Sequence, residues 1–185
     1  MKKQKIKKKY IFLGDIDSIN IELIIKSFNF LRGKVNYILI CNKKDLAKNI
    51  YFKKSNVKIN EILNPLNFNS YKLNKLNIFN IEDISNKKHI NLLNQIEISN
   101  NIANSTKYDL VTMPINKFVF KKKIKFIGMT EYLSKLNKSP TLMLMHGEKF
   151  SIIPMTTHIN LKSISKYINS KFINYFLKNI LNNIK

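Results

Sequence analysis

Apolar positions along this chain follow two rhythms that alternate. Short, nearly uninterrupted runs, "KYIFLGD" (9–15) and "VNYILICN" (35–42), predict strands, and the second is of the kind buried on both faces. Between them "INIELIIKSFNFL" (19–31) repeats its apolar residues at helical spacing and predicts a helix. "DLAKNIYF" (45–52) predicts a short helix and "VKINEIL" (57–63) another extended piece. The polar, Asn-rich residues 64–87 predict a long loop. A long helix is predicted over 87–108, with Leu92, Ile96 and Ala103 on one face and polar residues over much of the other.

That helix delivers the chain into "YDLVTMP" (108–114), a strand that Pro114 terminates. Short helical pieces follow at "INKFVF" (115–120) and "TEYLSKLN" (130–137). "PTLMLMHG" (140–147) and "KFSIIPMTTH" (149–158) predict an antiparallel hairpin turning near Gly147, and from Asn160 the chain is predicted helical to its end. The alternation predicts an α/β layer architecture, a mostly parallel sheet with one antiparallel hairpin. The final helix carries Phe172, Tyr175, Phe176, Leu177, Ile180 and Leu181. That apolar surface needs cover from its own domain, another subunit or a further part of the fold.

Composition sharpens this picture at a few points. A hydrophobic share of 44% supplies a packed core, which excludes wholesale disorder. Glycine and proline number 4 each, so every one marks a structural event. The net charge of +22 invites a polyanion partner. Its lysines, however, are scattered among Asn and Ile, all with A/T-rich codons, and arginine is nearly absent, Arg32 being one. Codon bias explains that pattern without a specific nucleic-acid partner, and no clustered Arg or aromatic-basic signature is present. Cys41 stands alone, which excludes an internal disulfide and a cysteine zinc site. The basic start "MKKQKIKKK" leads into an apolar segment too short for a secretion signal, and no long apolar window follows. A soluble, cytoplasmic protein with no membrane partner is expected.

Three candidate sites fall at predicted strand ends, where open α/β sheets bind ligands. In "LGDIDSINIEL", Gly14, Asp15, Asp17 and Ser18 form a turn whose first reading is to cap the next helix. In "TMPINK", Pro114 suits the first position of a helix, which would put Asn116 and Lys117 in a first turn able to meet a phosphate. In "MTTHINL", His158 follows Thr156 and Thr157. A lone histidine is more often structural than a ligand. His146 and His158 fall at opposite ends of the predicted hairpin arm, too far apart to share an ion. His89 opens a helix elsewhere. Neither a P-loop, a nucleophile elbow nor a GxGxxG turn is present.

Four segments in order, "GDIDSINIE" (14–22), "TMPINK" (112–117), "GMTEYL" (128–133) and "TTHINL" (156–161), resemble those of the 4-hydroxythreonine-4-phosphate dehydrogenase family of pyridoxal-phosphate biosynthesis. The family's counterparts are GDPAGIGPE, T-[AG]-P-I-N-K, GHTE[FY]L and TTHIPL. The resemblance spans essentially all of this chain, residues 1–185, and the N-terminal half of the family's. It implies a three-layer α/β/α fold like isocitrate and isopropylmalate dehydrogenases, truncated, with the C-terminal cofactor-binding part absent. It also implies a homodimer with its active sites at the interface, or a complementing C-terminal polypeptide.

The activity implied by the resemblance is oxidation of 4-phosphooxy-L-threonine with NAD or NADP. The product is a 2-amino-3-oxo acid phosphate that decarboxylates toward pyridoxine 5'-phosphate. A divalent metal (zinc, magnesium or cobalt) held by three histidines assists. Residue by residue, His158 matches a metal ligand, Thr130 a substrate-binding threonine, and Asn116 and Lys117 the segment lining the substrate site. Met129 stands where the family has a substrate-binding histidine, so a thioether replaces an N–H donor. The first turn lacks both prolines and two glycines of the family pattern but keeps Gly14, Asp15, Ile19 and Glu22. Two competing readings are a non-catalytic remnant of the enzyme and a basic nucleic-acid-binding protein.

Overall fold

The computed structural model describes residues 8–32, 34–120, 126, 128–157 and 159–183. They fall into two compact units, Met1–Phe126 and Ile127–Lys185.

In the first unit five strands, β1 (Lys8–Phe12), β2 (Asn36–Cys41), β3 (Ile59–Glu61), β4 (Leu76–Asn80) and β5 (Asp109–Thr112), form a wholly parallel sheet in the order β3-β4-β2-β1-β5. Helices α1 (Asn20–Leu31), α2 (Lys43–Lys48), α3 (Ile50–Lys54) and α4 (Lys88–Thr106) connect them. Successive strand residues point to opposite faces, and both faces are filled here. Leu13, Leu39, Cys41, Leu76 and Ile78 pack with Ile21, Ile24 and Phe28 of α1 and Leu46 of α2. On the other side Tyr10, Ile38 and Ile40 pack with Ile62, Phe68, Ile81 and Ile102 of α4. Two-sided burial explains why β2 offers no polar alternate; each such side chain contributes about 1.5–3 kcal/mol. The expected α/β/α layering is therefore present in this unit.

The stretch 64–87 is not one loop, because β4 runs through it beside β2. Its residues, "LNIFN", set Leu76, Ile78 and Phe79 between asparagines without a strict alternation, and in a chain so rich in Asn and Ile the short run does not stand out. Asn77 on β4 is buried and accepts from Asn60 Nδ2 at 2.8 Å and from the Lys72 N–H at 2.9 Å. It donates to the carbonyls of Lys72 and Lys75 at 2.8 and 2.9 Å, so the remaining loop folds back upon the strand. The predicted helix over 45–52 is likewise two helices. Asn49 accepts from the N–H groups of Tyr51 and Phe52 and starts α3 anew. Helix α4 buries His89, Asn91, Gln95, Ser99 and Asn100 beside Leu92 and Ile96, so its polar residues are not confined to a solvent face.

The second unit holds α5 (Met129–Asn137), the strands β6 (Met145–His146) and β7 (Ser151–Ile152), and helices α6 (Ile164–Tyr167) and α7 (Ser170–Asn183). The strands pair antiparallel as expected, and the Gly147 N–H donates to the Phe150 carbonyl across the turn at 3.0 Å. The arms are much shorter than predicted. Pro140 and Pro154 offer no N–H to a ladder, and 140–144 and 153–157 carry no strand. The stretch after Asn160 is not one helix either, since Asn169 restarts it by accepting from the Phe172 N–H at 2.9 Å. Among the described residues no helix is long and apolar enough to cross a membrane.

Candidate functional site

β1 lies between β2 and β5, with α1 following β1 onto one face and α4 leading into β5 on the other. The loops after β1 and β5 therefore diverge there, the topological switch point at which such sheets bind ligands. Gly14 turns the first loop with φ 71°, a left-handed conformation that glycine adopts without penalty. A Cβ on it would sit 2.6 Å from the Pro114 carbonyl oxygen and 3.0 Å from that of Met113. This close approach is held by hydrogen bonds. Met113 N–H donates to the Phe12 carbonyl at 3.0 Å and Asp15 N–H to the Pro114 carbonyl at 3.3 Å. The Asn20 amide, fully buried, donates to the carbonyls of Pro114 (2.7 Å), Leu13 (2.9 Å) and Asp15 (3.2 Å). Sequence reasoning missed Asn20; the available signal was an amide at the helix start on the same side as the apolar Ile21 and Ile24, which are buried with it.

The two loops differ from expectation in detail. No helix begins at Pro114, whose carbonyl is tied to Asp15 and Asn20 instead. A single 3-10 turn runs from Lys117 to Phe120, and the Asn116 side chain accepts from the Phe118 N–H at 3.0 Å. Asn116 is thus a cap, and both it and Lys117 are exposed. Nor do Asp15 and Asp17 cap α1, which starts after Ile19 with no side-chain cap. The Asp15 carboxylate accepts from the Asp17 N–H, while Ser18 Oγ donates to the Asp15 carbonyl at 2.6 Å and accepts from the Asn20 N–H at 3.2 Å.

Beside the first loop a cleft of about 690 Å³ opens at the carboxyl ends of β1, β2 and β4, lined by Asp17, Asp45, Asp83, Lys88, Asn91 and Gln95 among others. Lys88, at the start of α4, bridges Asp15 at 2.8 Å and also Asp17. Burial alone would lower the Lys88 ammonium, but the hydrogen bonds to Asp15 and Asp17 outweigh it and the net shift is upward. The Asp45 carboxyl is raised, by burial first and then by the Asp83 charge, against the opposing effect of Lys48. Asn91 fixes the wall by accepting from the N–H groups of Ile84 and Ser85 and donating to the Ser85 carbonyl at 2.7 Å.

In the second unit α5 starts directly after Gly128, over which the Glu131 carboxylate folds; a Cβ there would meet Glu131 Oε2 at 2.6 Å. Met129 and Thr130 are half-buried in the first turn. Thr130 and Thr157 line one cavity of about 470 Å³, together with Thr141, Met155 and Phe172. Two segments far apart in sequence, "GMTEYL" and "TTHINL", thus meet. His158 lies outside the described residues. Asn116 and Lys117 belong to the first unit, and Met129 and Thr130 to the second. Among the described residues no group of three or more His, Cys, Asp or Glu is arranged to hold a metal ion, so the donor set does not fit a divalent cation by itself.

A family model described as pyridoxal phosphate biosynthetic protein PdxA matches residues 34–185. The chain is 29% identical to the 4-hydroxythreonine-4-phosphate dehydrogenase of Aquifex aeolicus over 174 residues, covering 90% of this chain and 54% of that protein. Its identity to the Campylobacter fetus protein of the same name is 28% over 183 residues, covering 95% and 55%. Among solved structures it is similar to a 4-hydroxythreonine-4-phosphate dehydrogenase from Burkholderia phymatum (TM-score 0.73, 19% identity, 95% of this chain and 57% of that one). It is likewise similar to one from Klebsiella pneumoniae (TM-score 0.75, 18% identity, 94% and 57%). At these identities the structures speak for the fold alone. The chain spans about half the length of the curated relatives it matches.

Proposed function

The chain belongs to the pyridoxal phosphate biosynthetic protein PdxA family, and on that premise we propose that it is the substrate-holding part of a 4-hydroxythreonine-4-phosphate dehydrogenase. The activity so assigned is NAD(P)-dependent, divalent-metal-assisted oxidation of 4-phosphooxy-L-threonine. It is carried out with a second copy or a complementing C-terminal polypeptide. The observation that carries this reading is the joining of "TMPINK" to the Gly14 turn at the sheet's switch point, through Asn20 and Pro114.

In this reading Lys117 gives its ammonium to the substrate phosphate, and Asn116 holds the turn that presents it. The Thr130 hydroxyl hydrogen-bonds the substrate, and Met129 covers it with apolar surface where the family has a donor. His158 is the metal ligand this chain contributes. The cation, when bound, supplies Lewis-acid polarisation of the reacting oxygen. The described residues do not complete its donor set, and the sequence carries no GxGxxG dinucleotide turn.

Titration of the full chain with 4-phosphooxy-L-threonine, followed by calorimetry, tests the reading. Saturable binding is expected, with L-threonine much weaker because it lacks the phosphate. Lys117→Ala should weaken binding about tenfold or more, the loss of one charge-assisted hydrogen bond. Equal affinity for the two ligands, or an unaffected Lys117→Ala variant, would overturn it.

A further inference from the structure

We infer that the outer face of α1, with the adjoining α3, is a docking surface for an anionic lipid bilayer. The inference is independent of the substrate assignment above. On a helix packed against a sheet, the line farthest from the core is normally polar. At about 100° per residue, Ile19, Leu23, Lys26 and Phe30 fall along that line of α1, opposite the buried Ile24 and Phe28. Three of the four are apolar and stand in solvent, Ile19 at 64%, Leu23 at 41% and Phe30 at 70% exposure. Ile50 and Tyr51 of α3, which touches α1, are exposed as well, and Tyr51 stands within electrostatic reach of Lys26.

Lysines edge this apolar row. The Lys34 ammonium sits 4.1 Å from the centroid of the Phe30 ring, and Lys53 and Lys54 end α3. Glu22, the carboxylate beside the row, is paired with Lys26 at 2.6 Å. No other acidic residue occurs from 23 to 44 or from 46 to 60. The charge pattern therefore selects an anionic surface, since a second copy would set lysine against lysine across the contact.

Shape selects the kind of surface. A row on the outer line of a helix is convex, whereas a small ligand needs a concave site. Apolar tips that protrude between lysines can enter the headgroup layer of a bilayer, with the lysine stems along the interface and their ammonium groups at the phosphates. The expectation of no membrane partner rests on the lack of a long apolar span, which such peripheral contact does not need.

The sequence contains no tryptophan, so Phe30→Trp in the full chain gives a single reporter at the row. It is titrated at about 150 mM salt with vesicles of phosphatidylcholine and phosphatidylglycerol, and with phosphatidylcholine alone. A blue shift and quenching by brominated acyl chains are expected with the anionic vesicles, and about tenfold weaker binding or less with phosphatidylcholine. Leu23→Ser combined with Phe30→Ser, both at exposed positions, should lower sedimentation with anionic vesicles about tenfold at unchanged circular dichroism. Leu63→Ser, at a position 89% exposed on another segment, should leave it unchanged.

Sedimentation without a blue shift or quenching is adsorption by the charge of +22 alone and overturns the proposal. So does equal binding by wild type and the double serine variant. Absence of binding at about 1 mM lipid, where a partition constant of about 10⁴ M⁻¹ would leave most of the protein bound, overturns it too and leaves the face to an acidic protein.

Discussion

The Asn20 side chain donates to the Pro114 carbonyl at 2.7 Å, joining residues 94 apart in the chain. With Asp15 N–H on the same carbonyl, it binds the loop after β1 to the loop after β5. Asn20→Leu keeps the volume and leaves three buried carbonyls with fewer donors. The expected loss is about 1–3 kcal/mol, read as a lower urea midpoint at unchanged slope. An unchanged midpoint would show that water replaces the amide.

Gly14→Ala is expected to be at least as costly. The left-handed backbone costs an alanine about 1–2 kcal/mol, and the added carbon meets the Pro114 oxygen at 2.6 Å. A thermal midpoint several degrees lower, with weaker phosphate-ligand binding, is the expected outcome. Gly128→Ala is expected to be milder, because there the neighbour is the far end of the Glu131 side chain.

Lys88 holds the Asp15 side chain, itself only 5% exposed. Lys88→Met leaves that carboxylate unpaired. Removing one partner of a fully buried pair costs about 3–5 kcal/mol; with Lys88 itself partly exposed, a smaller loss of about 2 kcal/mol is expected in denaturation experiments. The double variant Lys88→Met with Asp15→Asn should recover part of it.

Burial pushes the Cys41 thiol from its ordinary 9.0 up to about 12. The folded state therefore holds its thiol proton more tightly than the unfolded chain does. That contribution is complete below pH 9 and falls away between pH 9 and about 12. Wild type should lose about 1.4 kcal/mol more per pH unit in that window than Cys41→Ala, by urea denaturation across pH. In the native state near neutrality the thiol should resist a disulfide reagent and react only on unfolding.

The charge of +22 predicts salt-sensitive adhesion to DNA and nothing more specific. Binding in a filter assay should weaken by orders of magnitude between about 50 and 200 mM salt. Retention at the higher salt would favour the nucleic-acid reading over codon bias.

The strands buried on both faces were legible because continuous apolar runs have few other homes, as in residues 36–41. β4 was not, since its short apolar run is broken by Asn77 and Asn80 in an asparagine-rich chain, and only the bonds of Asn77 to Asn60 on β3 and to the Lys72–Lys75 loop give that asparagine its purpose. The motifs "TMPINK" and "GMTEYL" stood out in sequence through their scarce Pro, Gly and Thr. Their local geometry did not, because a proline before a helix and a proline bonded to a distant loop look identical in sequence.

The order of apolar runs by itself determined the alternation of strands and helices and the parallel layered class, because periodicity reports which faces are buried. Only the tertiary structure decided that Asn20 fastens Pro114 and that Lys88 meets Asp15 and Asp17. It alone gathered the aspartates at one cleft. These pairings join residues as far as 94 apart, and no local pattern encodes a partner that chain folding has yet to bring near.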